Sequence, residues 1–335
     1  MFLMRQKPKL NAPEVSGLWS NYLANNMSRC ILKHFLKTVD DRAIGAVLER
    51  AIGLADQHTK WIADLLKKEN IPAPIGFSDD DVNLDAPKLF SDPFFLYYLK
   101  NMTRMGLSTN GAFLSGASRK DVRRFVSDCL RSSADLYNEI VDLLTEMGLE
   151  IRAPYLSYPQ KRGEITDKHF LSGWLGKQRP LTAAEMSNLI INLYTCDITR
   201  TMLLAFCQTT ADDRVRRFMK HGKQVIEKHM NAFLEFLKES NVPAAVPWAI
   251  EVTPSTTWTF SEKLMMFQAL FLYEMALGNY GISLAISQRR DLSIKYMDLS
   301  YETVRLLSDG TKLMIDNGWM EAPPMAVDRE KLTNG

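Results

Sequence analysis

The segment HTKWIADLLKKENIPAP at residues 58–74 recurs as HMNAFLEFLKESNVPAA at residues 229–245. The pairs His58/His229, Leu66/Leu237, Lys67/Lys238, Asn70/Asn241 and Pro72/Pro243 coincide at a constant offset of 171. Asn21/Asn192 and Arg29/Arg200 keep that register. Further along the offset is 170. It aligns Phe90-Ser91-Asp92 with Phe260-Ser261-Glu262, Gly111 with Gly281, Arg119-Lys120-Asp121 with Arg289-Arg290-Asp291, Asp128 with Asp298, and Gly148 with Gly318. One domain-sized unit is therefore written twice, over residues 11–155 and 182–325, joined by a linker at 156–181. The unit is far too long for a solenoid repeat.

Each unit reads as four helices. Asn11 with Glu14, and Thr182 with Glu185, form capping boxes at the first helix. Apolar residues follow at helical spacing: Leu18, Tyr22, Met27, Ile31 and Phe35, then Leu189, Leu193, Ile198 and Met202. A second helix ends near Asn70 and Asn241, residues that tolerate a left-handed cap, with proline two positions on. A non-helical stretch follows and brings the chain to a third helix at Ser91 and Ser261. A fourth starts near Ser118 and Ser287 and ends at Gly148 and Gly318. Two short connections around one long crossover are the ferritin-like form of the four-helix bundle, with second and third helices parallel. The expected fold is all-α, two tandem ferritin-like four-helix bundles related by a pseudo-twofold axis. The third helix of the second copy, LMMFQALFLYEMAL, is apolar nearly all round and is expected between the bundles. The linker, with Tyr155, Tyr158, Phe170, Trp174 and Leu175, is expected to pack as a strap.

Composition agrees. The 335 residues are 46% hydrophobic and 24% charged, with a net charge of +2, which excludes a generally basic nucleic-acid binder and an acidic disordered chain. Four scattered cysteines with no C-x-x-C pair suggest reduced thiols and a cytoplasmic protein. The N-terminus lacks a secretory apolar region, and no apolar run has the length of a membrane span. Neither membrane nor nucleic acid is an expected partner.

The segments LFSDPFFLYYLKNM and RRF, the linker FLSGWLGKQRPLTAAE, the stretch from FSEKLMMF through GNYG to SQRRDL, and the end NGWMEAPP with DRE three residues on together resemble a known family. It is a domain-of-unknown-function family of duplicated ferritin-like proteins from spore-forming bacteria, some labelled spore-coat-related. The resemblance implies the fold and an association with the spore. It implies no catalytic or binding residue.

A ferritin-like bundle invites a dinuclear metal site, which needs Glu-x-x-His on two helices. The residues three before the five histidines are Ile31, Ala55, Thr166, Phe218 and Ile226, so that site is absent from both copies. A degenerate single-metal site could draw on Asp197, His229, Glu274 and Asp298, one from each helix of copy two. Copy one has Asn26, His58, Arg104 and Asp128 there. The plainer expectation is a core polar network that both copies share: Arg29, His58 and Asp128, and Arg200, His229 and Asp298. No cofactor is expected. The basic cluster Arg119-Lys120 and Arg289-Arg290 should be engaged by Asp121 and Asp291. The sequence favours a non-enzymatic structural or interaction protein with an unknown protein partner, ahead of a degenerate metalloprotein or a binder of a small apolar ligand between helices.

Overall fold

The computed structural model describes residues 8–156, 158–173, 178–243 and 251–330. Eight helices account for most of them: α1 Ala12–Thr38, α2 Arg42–Lys68, α3 Asp92–Gly116, α4 Lys120–Glu146, α5 Ala183–Thr209, α6 Asp213–Glu239, α7 Glu262–Ile286 and α8 Arg290–Asp316. Helix lengths are the same in both copies, so the one-residue change of offset falls in the crossover loop. Both capping boxes form, and Asp41 and Asp212 cap α2 and α6 by accepting two backbone N–H bonds each. After α2 and α6 the chain leaves through Asn70 and Asn241, both at φ 55°, the left-handed geometry that asparagine adopts at small cost.

In the first bundle α1 packs on α2 and α3, and α4 packs on the same two. The Asp92 carboxylate at the start of α3 accepts from the Asp40 and Asp41 N–H groups between α1 and α2. The start of α3 therefore lies beside the α1–α2 turn. The crossover runs the length of the bundle and α3 runs parallel to α2. Glu262 does the same for Ala211 in the second bundle. This is the ferritin-like connection.

The two crossovers meet at the pseudo-twofold axis. Val82 pairs antiparallel with Phe260, and Phe90 with Val252. These are the same pair of positions seen from each copy. The bonds around them repeat: Asn83 N–H to Thr259 O (2.8 Å) mirrors Thr253 N–H to Leu89 O (3.0 Å), and Ser91 N–H to Glu251 O (3.0 Å) mirrors Ser261 N–H to Asp81 O (2.9 Å). On the axis Tyr98 donates to Gln268 (3.2 Å), two residues at equivalent positions of α3 and α7. One buried apolar cluster runs from the first bundle across the axis through the second. The copies are thus joined by a common core, and the linker is not what holds them together.

Two expectations need correction. By composition α5 and α7 are each long and apolar enough to cross a membrane, but 78% of that stretch of α5 is buried in the protein against 44% of α7. α7 does lie between the bundles, with Gln268 bonded to Tyr98 and Phe267 against Phe77. What needs correcting is the expectation that no apolar run reaches the length of a membrane span, and it is α5, lying between α6, α7 and α3, that is most enclosed. Second, among its described residues the linker is tied near its end. Tyr155 and Tyr158 are exposed. Phe170 lies under the Arg179 guanidinium, which also bonds the Phe170 carbonyl (2.8 Å). Trp174 and Leu175 lie outside the described residues.

Candidate functional site

The position shared by both copies and richest in polar groups is the layer of His58 and His229, half-way along α2 and α6. In the second bundle this layer is closed. The His229 side chain has no solvent exposure. Its Nε2 faces Glu302 Oε2 of α8 at 3.2 Å, and its Nδ1 faces Tyr280 Oη of α7 at 3.0 Å. A carboxylate only accepts, so Nε2 carries the proton and Tyr280 donates to Nδ1. With its proton committed there, the Tyr280 oxygen accepts from the Cys196 thiol (3.3 Å). Lys228 completes the chain by bonding Glu302 from outside. Burial dominates the acid–base chemistry: it brings His229 down to about 4 against the opposing pull of Glu302, and pushes the Cys196 thiol up to about 12. At neutral pH the imidazole is uncharged and the thiol is protonated, hence unreactive. Beside this chain, the Asn192 amide donates to Ser283 (2.9 Å) and Tyr296 (3.4 Å).

The first bundle keeps the histidine and the asparagine, Asn21 for Asn192, and loses the partners of the histidine. Glu302 corresponds to Ser132, Tyr280 to Asn110, Tyr296 to Val126, Tyr273 to Thr103 and Cys196 to Asn25. His58 is half-buried, and among the described residues its Nδ1 meets Asn25 Oδ1 alone, at 3.3 Å. A cavity of about 140 Å³ occupies the layer.

The expected Arg–His–Asp network is not formed in either copy. Asp128 is exposed and paired with Arg131 one turn on (3.2 Å), and Asp298 is exposed. Both lie on the outer faces of α4 and α8, because the inward stripe of α8 runs through Tyr296, Leu299, Thr303 and Leu306. Arg29 reaches Asp56 of α2 (3.7 Å), and Arg200 turns back on its own helix to Asp197 (2.8 Å). Nor do the four metal candidates converge. Asp197 is held by Arg200 and His229 by Tyr280 and Glu302. Glu274 stands in a groove between the bundles lined by Trp19, Phe267 and Trp319, and Asp298 faces solvent. Among the described residues no three His, Cys, Asp or Glu side chains are placed to share a metal ion.

Glu302, Tyr280 and Asn110 escaped the sequence reading for one reason. Agreement between copies selects what both retain, and these positions differ. A helical-spacing signal existed for Glu302, which lies one turn beyond Asp298 on the side of α8 that turns toward α6.

A second polar cluster sits at the far end of each bundle and is used structurally. The capping-box Glu14 also accepts from the Ser118 (2.8 Å) and Arg119 (2.7 Å) N–H groups at the start of α4. Glu185 does the same for Gln288 (3.0 Å) and Arg289 (3.1 Å) at α8. Burial would raise the Glu185 carboxyl, but a two-pronged bond from Arg179 and these backbone donors hold it at about 2. Arg119 bonds Asp121 (2.8 Å) and Arg289 bonds Asp291 (2.6 Å), so these arginines are engaged as expected.

These features define a class: all-α proteins in which two ferritin-like four-helix bundles are fused about a pseudo-twofold axis, without the Glu-x-x-His motif of di-iron bundles. The chain belongs to the family described as a protein of unknown function, DUF3231, whose profile matches residues 1–161 and again residues 169–332. A comparison with curated proteins found no match. Among solved structures the chain is similar to one described as a "putative spore coat protein" from Bacillus halodurans C-125. Identity is 21% and the TM-score 0.40, over 46% of this chain and 99% of that chain.

Proposed function

We propose that this chain is a non-enzymatic structural or interaction protein, cytoplasmic and associated with the spore, that works through a protein partner. The observation carrying this reading is the closed histidine layer of the second bundle. Its thiol, phenol, imidazole and carboxylate are bonded in one chain, Cys196 to Tyr280 to His229 to Glu302, and the imidazole, phenol and thiol are shut off from solvent. No substrate can reach an imidazole so enclosed, and a metal would have to displace Tyr280 from Nδ1 or the proton that Nε2 gives to Glu302. The spore association rests on the sequence resemblance.

The surface supports a protein partner. Met297, Tyr301 and Val304 lie at i, i+4 and i+7 on one exposed face of α8. Their counterparts on α4 are Ser127, Arg131 and Ala134. Neither nucleic acid nor membrane enters the reading, given a net charge of +2 and the pairing of Arg119 with Asp121 and of Arg289 with Asp291.

Two measurements test it. Protein purified without chelator is expected to hold only substoichiometric metal; a full equivalent lost in His229→Ala overturns the reading in favour of the degenerate metalloprotein. In cells, a photo-crosslinking side chain placed at Tyr301 should trap a discrete protein adduct that the same group at Arg131 does not. Absence of an adduct at Tyr301 counts against the interaction role.

A further inference from the structure

The apolar core of the first bundle is cut in two. Leu18, Ile62, Phe113 and Val126 belong to a cluster at the far end, separate from the large cluster that continues into the second bundle. The cavity of about 140 Å³ lies at the level between them. In the second bundle the same level is filled by Tyr280, Tyr273 and Ile226, where the first has Asn110, Thr103 and Ala55. The histidine common to both lines this space in the first bundle.

We infer that this cavity is a binding site for a small, uncharged, ring-sized molecule carrying one hydroxyl or N–H donor. Size sets the first limit. An engineered cavity of about 150 Å³ accepts benzene, so this space takes one ring and little more. Charge sets the second: among the described residues no Asp, Glu, Lys or Arg lines it, and an ion would lose its hydration without a counter-charge. The donor follows from Asn110, which lines the cavity, is 6% exposed, and has a buried Oδ1 with no hydrogen-bond partner among the described residues. An acceptor left so is costly, and a donor on the ligand would satisfy it. The Thr103 and Ser133 hydroxyls on the wall spend their protons on the carbonyls of Leu99 and Cys129. They too present acceptors. The apolar wall is supplied by Leu99, Met102, Leu136 and, from the second bundle, Phe271. Half-buried Ala24 and Ser28 and exposed Thr109 rim the space and open it to solvent.

This goes beyond the interaction role and stands or falls separately from it. The test is calorimetric titration of the full-length protein with phenol, benzene and benzoate. Phenol should bind one to one and roughly tenfold tighter than benzene, the worth of one buried hydrogen bond. Benzoate should not bind. Asn110→Leu should bring phenol down to the affinity of benzene. Asn110→Tyr, which installs the side chain of the second bundle, should abolish binding of both. If that variant fails to fold, Ala55→Ile fills the same space and must give the same loss. Absence of saturable phenol binding to the unaltered protein, binding that survives Asn110→Tyr or Ala55→Ile, or phenol as tight in Asn110→Leu as in the parent, would each overturn the inference. A cavity that holds water alone gives the first of these results.

Discussion

The two bundles have the same helix lengths and the same topology, each carries a histidine at the same level, half-buried in the first and buried in the second, and they differ in what surrounds it. Around His229 the second bundle places two partners and closed packing; around His58 the first places one asparagine and a void. The difference teaches that the histidine layer is not a requirement of the fold alone. The same backbone tolerates it filled or hollow, so the hollow version is free to hold something. The exchange is reciprocal in detail. At Gly222 an added Cβ would meet the Tyr273 hydroxyl, so the glycine makes room for the ring. The first bundle has Ala51 and Thr103 at these two positions.

The largest break in this comparison should come from Tyr280→Ala. It removes a fully buried ring and the donor to His229, and is expected to cost about 4 kcal/mol. Asn110→Ala at the equivalent position already faces a void and should cost about 1 kcal/mol or less. Urea denaturation of both variants checks this, and equal losses would mean that the two layers are equally packed.

Much of this was legible in the sequence, and the boundary between what was and was not is physical. The duplication, the capping boxes, the left-handed asparagines and the crossover follow from local rules and from matching one copy to the other. Retained Arg29/Arg200 and Asp128/Asp298 looked like one network because retention carries no direction. Which way a mid-helix side chain turns depends on the full inward stripe, and Tyr296, Leu299 and Thr303 put Asp298 outside. Glu302 and Asn110 were invisible to retention because the copies diverge there. The pairing of Val82 with Phe260 joins loops far apart in sequence and has no local signature.

The pH dependence sharpens the comparison next. In the folded chain burial holds His229 at about 4, while an unfolded histidine takes up a proton near 6.5. The unfolded state therefore protonates first as pH falls. Stability is full above pH 6.5 and declines toward pH 4, by about 3 kcal/mol. His58 is shifted the same way, also by burial, but from a half-buried position. Hence His229→Gln should flatten the stability profile between pH 6.5 and 4 far more than His58→Gln, as read by denaturation at stepped pH.

The capping glutamates differ by one partner. Glu14 and Glu185 both join the first helix of a bundle to its last, but Arg179 grips Glu185 and its counterpart in the first copy is Pro8. Both carboxyls are held below the usual carboxylate range, Glu185 at about 2. A depressed carboxyl contributes stability above the unfolded value and loses it as pH falls through the folded one. Glu185→Gln is expected to cost about 2 kcal/mol at pH 7 and to remove the decline between pH 4.5 and 2. Glu14→Gln should cost about 1 kcal/mol. Swapping Arg179→Ala should reduce the gap between the two, which acid titration of stability would register.

The smallest effect concerns the place where the bundles are equal. Tyr98 and Gln268 occupy the same position of α3 and α7 and bond each other across the axis. Tyr98→Phe keeps the ring and removes one buried hydrogen bond, at about 1 kcal/mol. Since one apolar cluster spans the axis, losing this bond should lower stability without separating the copies. Hydrogen exchange of α2 and of α6 should then report the same opening free energy near the axis, in the parent and in the variant. If α2 opened well before α6, the two bundles would be independent folding units held side by side, and the hollow layer of the first would be the place where the separation starts.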